Sequence, residues 1–125
     1  MSRVYPTARD ALDAHHDQIE RFGGSHGVRD HGQLEAAIFR PQTGYYRDLL
    51  AEAAALWESL SQNHPFIDGN KRTAFAVTHA FLMINGTELT ADSAQVEEFL
   101  LGLYRDNALT FDALDAWLRR NTRVV

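Results

Sequence analysis

The chain contains no cysteine, which excludes a disulfide framework and any thiolate-ligated metal centre. No apolar run approaches the roughly 20 residues needed to span a bilayer. The start, Met1-Ser2-Arg3-Val4-Tyr5-Pro6, lacks the apolar core of a secretory signal. These absences predict a cytoplasmic protein without a membrane partner. Basic charge is also in deficit, with 12 Lys and Arg against 17 Asp and Glu and a formal net charge of −5. That balance offers no basic face for a phosphate backbone, so nucleic acid is not an expected partner. Also missing are a Walker-type glycine loop, a dinucleotide fingerprint and a serine-nucleophile motif. There is no internal repeat, low-complexity tract or linker, and 125 residues at 45% hydrophobic content suit one domain over residues 1–125.

What is present is helical periodicity. Thr7 and Asp10 form a capping-box-like start to a helix reaching about Arg21, which Gly23-Gly24 ends. A second helix is expected after Asp30, with Gln33 three residues on, and stops before Pro41. The stretch from Pro41 to Arg47, with Gly44, Tyr45 and Tyr46, reads as irregular or a short hairpin. From Asp48 to about Gln62, Leu49, Ala53, Leu56, Trp57 and Leu60 fall on one stripe. The helix running to Ile84 is apolar on more than one side, through Phe75, Val77, Phe81 and Leu82, which predicts a central element ended by Asn85-Gly86. Two further amphipathic helices carry Val96, Phe99, Leu100 and Leu103, then Leu114, Trp117 and Leu118. No pair of alternating apolar runs announces a sheet. The expected fold is an all-α bundle of about six helices.

Chemistry concentrates in eleven residues, His64-Pro65-Phe66-Ile67-Asp68-Gly69-Asn70-Lys71-Arg72-Thr73-Ala74. They place an imidazole, a carboxylate, a small-residue turn and two adjacent cations where a strong helix begins. The unpaired N–H groups and partial positive charge of a helix N-terminus suit a phosphate. Gly69, Asn70, Lys71 and Arg72 would form that phosphate-binding first turn. Asp68 has the chemistry to hold a divalent cation between phosphate oxygens, and His64 to take a proton from an attacking hydroxyl. The pattern predicts phosphoryl or nucleotidyl transfer. The plain alternative is a polar interhelical loop, with Asp68 capping the next helix and Lys71 and Arg72 solvated.

Other candidates are weaker. The six histidines, His15, His16, His26, His31, His64 and His79, form neither an H-E-x-x-H pair nor a finger-like spacing. Exposed or capping histidines are the commoner outcome, with His79 a hydrogen-bonded residue in or near the core. His16-Asp17 is the dipeptide used by metal-dependent phosphohydrolases of the HD type, which need further ligands from other helices. Arg21 reads first as a helix C-terminal charge and second as a nucleotide contact.

The eleven-residue run resembles the signature loop of the Fic/Doc family, H-x-F-x-[D/E]-[A/G]-N-[G/K]-R, at His64, Phe66, Asp68, Gly69, Asn70, Lys71 and Arg72. Leu12-Asp13-Ala14-His15, Arg21-Phe22-Gly23-Gly24, Gly27-Val28-Arg29-Asp30, Leu34-Glu35-Ala36-Ala37 and Arg40-Pro41 are similar to the Doc-type start, so the likeness covers nearly the whole chain. Within the family, Lys71 replaces the second glycine of the Fic-type loop, and Phe75 stands where that loop carries a second arginine for the distal phosphates of ATP. The combination looks like Doc. It implies a toxin that uses ATP and Mg²⁺ to phosphorylate a threonine of elongation factor Tu, stalling translation. The alternatives are a Fic-type adenylyltransferase with an altered loop and a non-catalytic binding module. The inhibitory helix pattern [S/T]-x-x-x-E-[G/N] is not met, since Ser93 and Glu97 are followed by Glu98. The resemblance therefore implies restraint from outside by a Phd-like antitoxin folding onto an apolar groove. Tyr45 and Tyr46 fall where related proteins carry a flap that aligns the target.

Overall fold

Helix starts follow the side chains that satisfy their first free N–H groups. The computed structural model describes residues 2–125; Met1, the first residue of the expected domain, lies outside them. Helix α1 (Ala8–Phe22) opens at Thr7, whose hydroxyl accepts from the Asp10 N–H while the Asp10 carboxylate accepts from the Thr7 N–H. Helix α2 (His31–Phe39) is capped by Asp30, which accepts from the Gln33 N–H at 3.1 Å. Asp48 caps α3 (Leu49–Gln62) in the same way through Ala51. Helix α4 (Asn70–Ile84) is different: its N-cap is Gly69, and no side chain caps it. Asp92 and Gln95 form a second capping box for α5 (Ser93–Arg105), and Thr110 caps α6 (Phe111–Arg120).

Helix α3 is the centre of the packing. Ala53, Ala54, Ala55, Leu56 and Trp57 are all fully buried, so its small residues let neighbours close on more than one side. The same core takes in Ala11 of α1, Leu34 of α2, Ala74, Phe81 and Leu82 of α4, and Leu114 and Leu118 of α6. Trp57 packs on Phe75, Phe99 and Trp117, with ring centroids 5.5 to 6.3 Å apart. Helix α4, expected to be the central element, buries one face and leaves Met83 and Ile84 exposed at its end.

One local expectation is corrected. Thr87–Leu89 (β1) and Thr122–Val124 (β2) pair antiparallel, Thr87 opposite Val124, in a two-stranded ladder where no sheet was expected. Strands of three residues are too short to show alternation, and their pairing depends on α6 returning the chain beside the end of α4. The segment after α2 takes the irregular one of the two forms expected for it. A 3₁₀ turn at Arg40–Gln42 leads into bends, and the Arg40 guanidinium ties it down through Tyr46 Oη, Glu58 and Ser59.

Candidate active site

The loop between α3 and α4 is held by the first residue of α4. The Asn70 side-chain oxygen accepts from the Phe66 N–H at 2.9 Å, and its amide nitrogen donates to the Phe66 carbonyl at 2.9 Å. One amide thus closes both polar groups of a residue whose ring is fully buried. Phe66 also bridges antiparallel to Val28 in the segment between α1 and α2, with the Arg29 and Asp30 N–H groups on the Pro65 carbonyl and the Ile67 N–H on the Gly27 carbonyl. Beneath it, the His15 imidazole stacks on the Phe66 ring with centroids 3.9 Å apart and planes 3° from parallel. His15 Nε2 lies 2.8 Å from the Asp68 carbonyl and donates to it. Burial pushes the His15 pKa down, keeping the ring neutral.

The turn that follows faces the end of α1. Gly69 has φ +73°, and a Cβ there would meet Ile19 at 3.0 Å and the Arg72 guanidinium at 3.4 Å. With a glycine cap, the N–H groups of the first turn have no side-chain acceptor. Asp68 does not cap α4. Its carboxylate accepts from the Gly69 N–H at 2.8 Å and the Ser25 N–H at 3.1 Å, and these bonds pull its pKa below the ordinary value. Gly24 makes that approach possible, because a Cβ on it would lie 2.6 Å from Asp68 Oδ2. An exposed, firmly ionised carboxylate with lone pairs left over fits a Mg²⁺ ion completed by water and phosphate oxygens.

The two cations diverge from the turn. Arg72 donates to the Gly23 carbonyl at 2.9 Å and lies over the Phe22 ring. Lys71, the single lysine of the chain, places Nζ 4.5 Å from the centre of the Tyr104 ring on α5. Burial holds the Tyr104 hydroxyl neutral, its pKa pushed up to about 12. His64 is exposed just before the Asn70-locked turn, with φ +49°. Such a left-handed backbone costs an L-residue about 1–2 kcal/mol. His64 and Asp68 are thus both exposed in the short loop that leads into the first turn of α4.

Other candidates fall elsewhere. Arg21 is paired with Asp17 along the exposed face of α1. His16 lies against His26 with the rings tilted by 33°, His26 pairs with Glu20, and no group of three His, Asp or Glu able to hold a metal is found among the described residues. His79 is half-buried and stacks on Phe75. Tyr45 is 84% exposed, while Tyr46 packs against Phe111 and Arg40. His15 and Arg29 are the residues that sequence reasoning missed. The spacing of Ala11, His15 and Ile19 on one face of α1 was the available signal for His15, since i, i+4 and i+8 share a stripe. Arg29 carried no such signal.

Comparison with known proteins agrees with this geometry. The Fic/DOC family model matches residues 5–82, which takes in α1 to α3, the whole loop and all but the last two residues of α4. A protein named Toxin Doc from Mycolicibacterium smegmatis is 54% identical over 57% of this chain, and the match spans 58% of that relative's length. A protein named Protein kinase doc from Escherichia phage P1 is 35% identical over 82% of each chain. On the loop, the fold that holds it and these matches, the chain belongs to the Fic/DOC family, in its Doc-type branch.

Proposed function

We propose that the chain is a Doc-type toxin that transfers the terminal phosphoryl group of ATP to a threonine of elongation factor Tu in the cytoplasm. The observation that carries this reading is the first turn of α4, where a glycine N-cap leaves the N–H groups free beside Asp68, Lys71 and Arg72. His64 is the general base. It takes the proton of the threonine hydroxyl as that oxygen attacks the γ-phosphorus, the bond from that phosphorus to the bridging oxygen breaks, and ADP leaves. Gly69, Asn70, Lys71 and Arg72 bind the phosphates, Arg72 through the donors not used on Gly23 and Lys71 as a movable point charge. Asp68 would hold Mg²⁺, which, when bound, neutralises charge developing on the phosphate oxygens.

That the relative from Escherichia phage P1 is named a protein kinase supports phosphoryl transfer over AMP transfer. So does Phe75, which packs on Trp57 and His79 where a Fic-type loop would carry a phosphate-binding arginine. A toxin of this kind requires an antitoxin, and a Phd-like partner is part of the proposal. The test is mass spectrometry of elongation factor Tu incubated with the protein, ATP and Mg²⁺. A gain of one phosphoryl group on a threonine is expected. An AMP adduct points to adenylyl transfer and overturns this reading, and no mark on any protein of a translating extract points to a binding module.

A further inference from the structure

Three consecutive carbonyls at the end of α3, those of Asn63, His64 and Pro65, are each bonded by one residue outside the signature loop. Arg29 Nη2 donates to the Asn63 carbonyl at 2.8 Å and Nε to the His64 carbonyl at 2.6 Å, while its backbone N–H donates to Pro65 at 2.8 Å. Within this span His64 takes a positive φ of 49°. An L-residue leaves that region unless its surroundings hold it there. A guanidinium is a planar fork whose donors reach two acceptors at once in one orientation, so it fixes the direction of the two peptides that flank the His64 backbone. Arg29 is exposed and so is His64; neither is locked by burial.

We propose that Arg29 is a positioning residue for His64: it clamps the strained backbone and so sets where the imidazole stands, without touching substrate. The inference rests on the reading of His64 as the base. An ordinary helix C-cap would also use an arginine on terminal carbonyls, but it would affect stability alone. The backbone bridge from Val28 to Phe66, including the Asp30 N–H on Pro65, does not use the Arg29 side chain. Substituting that side chain therefore isolates the clamp.

Arg29→Gln and Arg29→Lys, each verified by thermal melting to be folded at the assay temperature, test this in two ways. The first is phosphoryl transfer from ATP to elongation factor Tu. Arg29→Gln is expected to lower kcat about 10- to 100-fold with KM for ATP within about twofold, since displacement of a catalytic group by an ångström costs on that order. Arg29→Lys should fall between, having the charge but not the fork. The second is the ¹⁵N backbone order parameter of His64, expected to drop from about 0.85 toward 0.6 in Arg29→Gln, while that of Asn70 is unchanged. Wild-type kcat in Arg29→Gln, a loss carried by KM for ATP, or an unmoved His64 order parameter each overturns the inference. A wild-type protein that transfers nothing to elongation factor Tu defeats the functional reading, and the order parameter then decides whether Arg29 orders His64.

Discussion

Replacing Asn70 by alanine removes the two side-chain hydrogen bonds that tie Phe66, in the loop between α3 and α4, to the first residue of α4. The Asn70 side chain spans the Phe66 peptide, accepting from its N–H and donating to its carbonyl at 2.9 Å each. Phe66 is 1% exposed, so water has little access to those two groups once the amide is gone. A lost bond that strands a buried partner costs about 1–3 kcal/mol, while alanine recovers about 0.5 kcal/mol as the better helix former. With both Phe66 groups stranded, the net loss for Asn70→Ala is then about 1.5–5.5 kcal/mol. A chain of this length unfolds with an entropy near 0.26 kcal/mol/K, so the melting temperature should fall by about 6–21 °C. Scanning calorimetry at pH 7.5 measures this, with phosphoryl transfer followed on the same preparations. Asn70→Asp keeps the acceptor for the Phe66 N–H but turns an anionic oxygen toward its carbonyl. It should lose at least as much at pH 7.5 and recover part of the loss, relative to wild type, once acid protonates the new carboxyl. A fall of less than about 3 °C for Asn70→Ala would refute the view that this side chain closes the loop.

Other outcomes follow from the same geometry. His64→Gly relieves the left-handed backbone while removing the proposed base, so stability should stay within about 1 kcal/mol of wild type as turnover drops about 10²- to 10⁴-fold; parallel melts and rates check it, and retained turnover would end the base assignment. Since Lys71 is the only lysine, an amine-reactive reagent should label it and the N-terminus alone, and ATP with Mg²⁺ should protect Lys71, as peptide mass mapping would report; equal labelling with and without nucleotide counts against the phosphate site. Arg72→Lys keeps the charge but loses the fork and should weaken nucleotide binding measured by calorimetry. Burial lowers the pKa of both His15 and His79 in the fold, whereas the unfolded chain takes up those protons near 6.5. Their contribution to stability is therefore complete above about pH 6.5 and is lost as pH falls through the depressed values; denaturant titrations from pH 7.5 downward should show His15→Phe losing less than wild type.

Local signals carried the helices. Thr7 with Asp10, Asp30 with Gln33, and Asp48 ahead of an apolar stripe each satisfy a helix's first N–H groups within three residues of chain, so they are legible one residue at a time. The signature loop was legible too, because His64, Asp68, Asn70, Lys71 and Arg72 sit within nine positions and their types alone suggest a phosphate site at a helix start. Everything brought from a distance was not. The His15 ring beneath Phe66, the Ser25 N–H on Asp68, the Arg72 bond to Gly23 and the Arg29 clamp join positions 34 to 51 residues apart. Pattern along the chain encodes which face of a helix is apolar, but the packing of α1 against α4 decides which polar group ends beside which. The short β1–β2 ladder belongs with these, because three residues per strand carry no readable period and form only where folded helices return two segments to the same place.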